Sequence, residues 1–327
     1  MADVAREAGV SGQTVSRVAN GRENVDEATR RRVLDAMRAV GYRPNSAARA
    51  LRNGRFRSIG VIMSTLASLG NSRTLDAISS AAMAEGYSIT LLPVGHPTQR
   101  AVAGAFGRLD EQAVDGVVVL IEEHGLDWSE IELPQGVPVV VVDSNPRADY
   151  PIVDTDQVQG AALATEHLLG LGHETVWHIA GPSHSYAAER RERSWRETLS
   201  RHDRLAPPPV VGDWTADTGY ALGQVLCRDP GVTAVFAAND QMALGLLRAL
   251  HEAGRSVPGE VSVVGFDDMK EASCFWPPLT TVRQSFAEVG RRAVHTLLAE
   301  ITSGAPVASP ALVPTTLVIR ASTAPPW

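Results

Sequence analysis

Along the first forty residues, apolar positions recur every three or four residues in short bursts broken by glycines. From Ser58 onward, compact apolar runs of strand length alternate with helical patterns. Asp3 to Ala8 puts Val4, Ala5 and Ala8 on one helical face and stops at Gly9, where a turn needing positive φ fits. Ser11 is then a good N-cap for a second helix, with Val15 and Val18 inward and Asn20 and Gly21 at its end. A third helix starts at Asp26, turns Val33, Leu34, Met37 and Val40 inward, and stops at Gly41. Three helices of this size share one small core.

Further along, SIGVIM, YSITLLPV, DGVVVLI, VPVVVVD, TVWHIAG, AVFAAN and VSVVGFD read as strands with helices between them, such as one from Gln157 to about Leu171. Strands alternating with helices predict parallel sheets. The unit occurs twice, around residues 58–155 and 157–282, and the chain then returns to the first lobe for a helix from Phe286 to about Thr302.

In such sheets ligands bind beyond the carboxyl ends of the strands. Ser64 follows the first strand, Asp143 follows VPVVVV, Asn239 and Asp240 follow AVFAA, and Asp267 with Asp268 follows VSVVGF. Arg191 and Trp214 lie in the segments after TVWHIAG and after Val210 to Gly212. Carboxylates, an amide, a guanidinium and an indole converging on one cleft suit a neutral polyhydroxylated ligand. Each hydroxyl donates to Asp and accepts from Arg or Asn, and an aromatic face covers the C–H side of a sugar ring. For any single Asn or Asp, capping of the next helix is an equal alternative.

Charge changes the picture once it is divided. Residues 1–57 hold 12 Lys+Arg against 6 Asp+Glu, a balance of +6; the whole chain is −7, so the remaining 270 residues carry −13. A basic head on an acidic body points to an anionic partner for the head. The outward side of the second helix fits that partner. Gln13 and Arg17, with Ser and Thr hydroxyls nearby, match a recognition helix in the DNA major groove, where Gln reads adenine and Arg reads guanine. Turns of the AGVS type also occur in helical domains that bind nothing, and in that case both side chains are simply solvated. After Gly41, Pro44 interrupts the chain and Asn45 can cap a helix to about Arg52, which at two turns is marginal alone in water. Ala47, Ala48 and Leu51 give it a small apolar face, and Leu51 has the shape of a wedge between base steps. A plain linker, supported by Asn53-Gly54-Arg55, fits the same composition.

DVAREAGVSGQTVSRVANG followed by YRPNSAARAL resembles the DNA-binding head and hinge helix of the LacI/GalR family of bacterial repressors. GDWTADTGY, ANDQMALGLLRAL, SVVGFDD and CFWPPLTTVRQSF resemble an effector domain of that family, so the likeness covers nearly the whole chain. It implies an N-terminal helix-turn-helix head (1–44), a hinge helix and linker (45–57), and an α/β periplasmic-binding-protein-like core of two parallel-sheet lobes (58–327). Gly12, Gln13 and Arg17 then occupy base-reading positions and Leu51 the intercalating one, with Thr14, Ser16, Asn20 and Asn45 completing the DNA-facing set. Gly12 leaves only backbone contact at its position. Ser64, Asp143, Arg191, Trp214, Asn239, Asp267, Gln284 and Phe286 are implied to line an inducer pocket. Ser68, Gly70, Asn71 and Thr74 depart from a mostly apolar wall in the family's galactoside-responsive type, and Ala187 stands in place of a serine. The family usually has a few more residues ahead of Asp3, including a helix N-cap; here only Met1 and Ala2 precede it, so either the start is assigned too late or the first helix frays.

The partners this implies are double-stranded operator DNA, a small sugar effector with a galactoside first, and a second copy of the chain. No leucine heptads follow the last strand pattern before TAPPW, so a dimer is expected rather than a tetramer. No cofactor, metal or membrane is expected. Two cysteines, Cys227 and Cys274, are too few for a disulfide framework, and no charged and apolar leader opens the chain, so a reducing cytoplasm is the expected compartment. No apolar run reaches the roughly 18 residues of a membrane span. Enzyme motifs are missing: there is no G-x-S-x-G, no G-x-x-x-x-G-K-[ST] and no G-x-G-x-x-G. HETVWH has one residue too many for H-E-x-x-H and leads into a strand, and Asp267 and Asp268, adjacent in extended chain, point to opposite sides and make a poor acid/base pair. A transport-type sugar-binding protein is the rival reading; it leaves the basic head unexplained.

Overall fold

Ser11 sets the geometry of the head. Its hydroxyl accepts the Thr14 N–H at 3.2 Å and so caps α2 (Gly12–Ala19). The preceding helix α1 (Ala2–Ala8) closes at Gly9, whose φ of 62° allows the Val10 N–H to reach back to the Ala5 carbonyl at 3.0 Å. Asp26 caps α3 (Glu27–Ala39), accepting the Thr29 N–H at 2.9 Å. The three helices bury Val4, Ala8, Val15, Val18, Val33, Ala36 and Met37 in one core. Leu34 and Val40 were expected in that core and are instead exposed, while Ala36 is buried. Leu34 sits about 100° round the helix from Val33, and Val40 is the residue at which the chain leaves the helix.

The computed structural model describes residues 1–22, 24–42, 54–121, 136–142, 150–305 and 311–326. They fall into two units, 1–56 and 57–327. Asn45, Leu51 and Asp143, and with them the expected hinge helix, lie outside the described residues.

The second unit contains two six-stranded sheets among the described residues. The first lobe is built from β1 (Ser58–Met63), α4 (Leu69–Ala84), β2 (Ser88–Pro93), α5 (Gln99–Glu111), β3 (Gly116–Leu120), β4 (Val139–Val142) and β5 (Ile152–Thr155). The second lobe follows with α6 (Gln157–Gly170), β6 (Trp177–Ala180), α7 (Tyr186–Arg201), β7 (Val210–Val211), α8 (Ala216–Leu226), β8 (Ala234–Ala237), α9 (Asp240–Glu252), β9 (Ser262–Asp267) and β10 (Thr280–Arg283). The chain returns to the first lobe for α10 (Phe286–Ser303) and β11 (Ala311–Val313), then crosses again to place β12 (Thr316–Val318) at the edge of the second sheet. The strand orders are β11-β5-β4-β3-β1-β2 and β12-β10-β9-β8-β6-β7. Every described pairing is parallel except β10 with β12. The strands are apolar on both sides because helices cover both faces. In the first lobe, Ile59, Val61 and Val118 pack under α4 and α10, and Ile62, Val117 and Val119 under α5. In the second, Phe236, Val264 and Phe266 meet α6 and α7, and Val235 and Val263 meet α8 and α9. No helix among the described residues is long and apolar enough to cross a membrane.

Asp240 and His178 are ionisable groups buried inside the second lobe. Asp240, the first residue of α9, accepts the Met269 N–H at 2.8 Å and the Thr281 hydroxyl at 2.5 Å, tying the helix to the chain after β9 and to β10. Burial, with the Asp267 charge adding, pushes its carboxyl up to about 8. His178 stacks between Trp195 and Phe236 and bonds the Phe236 carbonyl through Nδ1 at 2.8 Å; burial pulls its imidazole down to about 3. Neither half of HETVWH is therefore a surface ligand, since His173 bonds Thr233 and the Ala324 carbonyl. From the carboxylate range up to about pH 6.5 the two groups oppose each other. Rising pH costs stability through Asp240, which stays protonated only in the folded chain, and restores it through His178, which is protonated only in the unfolded chain. Above that pH, Asp240 alone binds its proton more tightly in the folded state. Stability is therefore expected to fall between about pH 6.5 and 8, by at most about 1.4 kcal/mol per pH unit, and Asp240→Asn to flatten the decline. Urea unfolding of both proteins across that range checks it; an equal slope in the variant contradicts it.

Candidate functional site

In the head, the face of α2 opposite Val15 and Val18 carries Gly12, Gln13 and Arg17, all exposed, with Thr14, Ser16 and Asn20 half-buried beside them. The small polar residues are occupied locally: Ser11 Oγ and Thr14 Oγ1 lie 3.0 Å apart, and the Asn20 amide donates to the Ser16 carbonyl and, at 3.2 Å, to its hydroxyl. Among the described residues Gln13 and Arg17 make no such bond. The helix thus holds its hydroxyls and Asn20 in place and leaves one amide and one guanidinium to contact another molecule.

In the second unit, a cleft between the lobes brings together six of the eight expected ligand residues: Arg191, Trp214, Asn239, Asp267, Gln284 and Phe286. Counted with the solvent at its open mouth, it encloses about 610 Å³. Ser64 lies in an adjoining compartment, and Asp143 is outside the described residues. Arg191 of α7 is buried. It donates to Gln157 Oε1 at 2.8 Å and to the Ala238 carbonyl at 2.5 Å, lies 3.9 Å from Asp267 Oδ1, and faces the rings of Phe266 and Trp214 at 3.8 and 5.4 Å. Gln284, where the chain leaves β10 for the other lobe, donates to Asp267.

Asp267 and Asp268 point apart, as expected of adjacent residues. Asp268 turns away from the cleft to Arg283 and Arg320, at 2.6 and 2.5 Å. Burial alone would raise its carboxyl, yet the hydrogen bonds from Arg320 and Arg283 outweigh that and hold it below the usual carboxylate range. Both residues have left-handed backbone, φ 107° and 48°, as does Trp214 at 72°. Such conformations cost about 1–3 kcal/mol each and persist where surrounding contacts enforce them.

Asn239 has two tasks. Its Oδ1 caps α9 by accepting the Met242 N–H at 2.8 Å, and its Nδ2 donates to the Trp214 carbonyl at 3.0 Å, fixing the strained residue that carries the indole. The capping alternative therefore holds for Asn239 without removing it from the cleft wall. Asp240, its neighbour, faces the sheet interior and takes no part. The sequence reading missed Gln157, Asp154 and Gln241. Gln157 and Asp154 flank the crossover after β5, a strand too short to stand out as an apolar run, and Asp154 is paired with Arg190. Among the polar departures, Ser68, Gly70, Asn71 and Thr74 all line the first-lobe wall, with Ala187 opposite.

The indole of Trp214 lies against Gly181. A Cβ at Gly181 would stand 2.2 Å from the ring, so no side chain fits there. Gly181→Ala is expected to drive the indole from its seat, changing Trp214 fluorescence while leaving the far-ultraviolet circular dichroism intact. The difference spectrum against Trp214→Phe checks this, and an unaltered indole signal contradicts it.

Residues 1–45 match the model of bacterial regulatory proteins of the lacI family, and residues 165–323 match that of a periplasmic binding protein-like domain. The chain is 36% identical over 326 residues to the lactose operon repressor of Escherichia coli strain K12, covering 99% of this chain and 90% of that protein. It is 32% identical over 304 residues to the transcriptional repressor PurR of Haemophilus influenzae strain PittEE, covering 92% and 90%. Its fold is similar to that of the lac repressor dimer bound to operator and the anti-inducer ONPF, with a TM-score of 0.88, 35% identity and 98% of each chain covered. The likeness thus runs through both the helical head and the two-lobed core, over 99% of this chain and 90% of the lactose operon repressor, and the chain belongs to the LacI family of bacterial regulatory proteins.

Proposed function

We propose that this LacI-family repressor binds a pseudo-palindromic operator as a homodimer, and that a small sugar held between the lobes lowers its operator affinity, with a galactoside the first candidate. The observation that carries the DNA half is the pair Gln13 and Arg17, exposed on a helix whose opposite face is committed to the core. An N-terminal helix segment of this kind reads base edges in the major groove, Arg bidentate to guanine and Gln to adenine. Gly12 contributes backbone only. Thr14, Ser16 and Asn20, tied to their own helix, serve as positioning groups or phosphate contacts, and Asn45 and Leu51 retain the roles that the family resemblance implies. The lac repressor dimer bound to operator, to which the chain is similar, supports the same reading.

For the effector half, the support is chemical. Asp267 accepts, Arg191 and Gln284 donate, and the Trp214 face is apolar, which is the complement of a sugar ring with hydroxyls at its rim and C–H groups on its face. Sugar and operator then act on one equilibrium, and by linkage each must weaken the other's binding by the same factor.

Arg17→Ala is expected to cost about 1–3 kcal/mol of operator affinity and to relax base preference at one position, with sugar affinity unchanged. Fluorescence anisotropy on fragments of the promoter next to its own gene, with and without galactosides, measures both. Sugar affinity that is equal in the presence and absence of operator contradicts the coupling.

A further inference from the structure

Arg57, the last residue of the expected linker and the first of the second unit, is bound to the first lobe in two different ways. Its main chain is tied to the sheet. The N–H donates to Asp115 Oδ2 at 2.7 Å, just ahead of β3. The carbonyl accepts the Ser88 N–H at 2.9 Å and the Ser88 hydroxyl at 3.2 Å, where β2 begins. Its side chain is tied to a helix. The guanidinium donates at 3.1 Å to the carbonyl of Glu85, which ends α4, and lies 5.3 Å from the centre of the Tyr87 ring. A cation is favoured at this end of a helix, where the last carbonyls lack partners inside it, and an aromatic face adds to the attraction. The backbone of Arg57 is left-handed, φ 58°. That conformation is costly for a residue with a Cβ and persists because these bonds hold it.

The opposite end of α4 is a wall of the cleft. Ser68, its N-cap, stands there with Gly70 and Asn71, beside Phe286 at the start of α10. Between the two ends the 16 residues of α4 form one rod about 24 Å long. The rod is locked to α10. A Cβ at Gly290 would stand 2.6 Å from the Ala77 backbone, and the Arg73 guanidinium lies 5.8 Å from the centre of the Phe286 ring. Elements packed this closely transmit a displacement instead of absorbing it. A shift at the cleft wall therefore arrives at Glu85, and through the guanidinium at the residue where the linker joins the lobe. Without the guanidinium, Arg57 would still follow the sheet but no longer the helix.

We propose that Arg57 is a positioning residue of the response: its guanidinium makes the start of the linker follow α4, so that a sugar in the cleft changes operator affinity. This rests on the coupling of sugar to operator proposed above and names the bond that carries it.

Arg57→Asn and Arg57→Lys separate this role from a merely structural one. Asparagine tolerates left-handed backbone and keeps both main-chain bonds, yet it is too short to reach Glu85; lysine keeps a cation within reach. Operator affinity of the full-length proteins is measured by fluorescence anisotropy on promoter fragments, with and without methyl β-galactoside, lactose and cellobiose. Arg57→Asn is expected to shrink the factor by which sugar weakens operator binding at least roughly threefold. Sugar affinity without operator stays unchanged, and Arg57→Lys restores most of the factor. A factor as large in Arg57→Asn as in the natural chain overturns the inference and leaves the coupling of sugar to operator standing. That outcome, with operator affinity lowered equally in the presence and absence of sugar, makes Arg57 a phosphate contact instead. If no sugar changes the operator affinity of the natural chain, the underlying reading falls and hydrogen exchange decides the inference by itself. Operator fragments are expected to slow amide exchange across α4 in the natural chain and in Arg57→Lys, and not in Arg57→Asn. Equal protection in all three overturns it.

Discussion

The guanidinium of Arg191 is the constraint around which the cleft is organised. A buried cation is expensive unless paired and hydrogen-bonded, and the chain meets that cost with groups drawn from separate elements. They are Gln157 at the first lobe crossing, the Ala238 carbonyl at the end of β8, and Asp267 at the end of β9. Each bond fixes a strand end or a crossover, so the same charge that must be satisfied also sets where the carboxylate stands. Trp214 is held separately, by Asn239 from above and by the bare backbone of Gly181 beneath. Three residues with left-handed backbone border this region, and the bonds to Asn239, Gln284, Arg283 and Arg320 are what enforce them.

Much of this was legible before any coordinates. The seven long apolar runs became β1–β4, β6, β8 and β9, because a strand covered on both faces leaves an uninterrupted apolar signature. Strands β5, β10, β11 and β12 escaped notice, being three or four residues long and partly polar. Their position, not their composition, makes them strands: each lies toward the edge that the crossovers create. The cleft residues at ends of long strands were found for the same reason that the strands were. Gln157 and Asp154 were not, since one follows and the other lies within β5, a strand with no signature of its own. Asp240 shows the opposite failure. Its place in sequence is that of a ligand-facing residue, yet α9 turns it inward, and only packing distinguishes it from Asn239 one residue earlier.

The head shows a comparable limit on what pattern conveys. Its inward positions were read correctly where two apolar residues stood three or four apart, as in Val15 with Val18 and Val33 with Met37. Leu34 misled because size suggested burial, whereas its angle on α3 did not. Ala36 was overlooked because a small side chain at a crowded helix crossing carries little hydrophobic signal and much steric meaning. The outward residues were easier, since Gln13 and Arg17 have no reason to be buried and their side chains make no bond among the described residues of the head.

A ligand changes the balance between two arrangements of the lobes only through contacts that differ between them. A sugar held by Arg191, Asp267 and Trp214 alone touches one lobe, and however tightly it binds, it leaves that balance where it was. What converts binding into a signal must come from the other wall, which here is Phe286 and the start of α4, and from the crossovers themselves. Gln157 and Gln284 sit on two of the three crossings, and the third is tied back by Thr315, which donates to Gln159 through its N–H at 2.7 Å and its hydroxyl at 3.1 Å. The polar substitutions on α4 therefore fall where specificity and response coincide. A ligand that touches this wall while Arg191 holds it binds both lobes at once, and the free energy of that second contact is the part available for regulation.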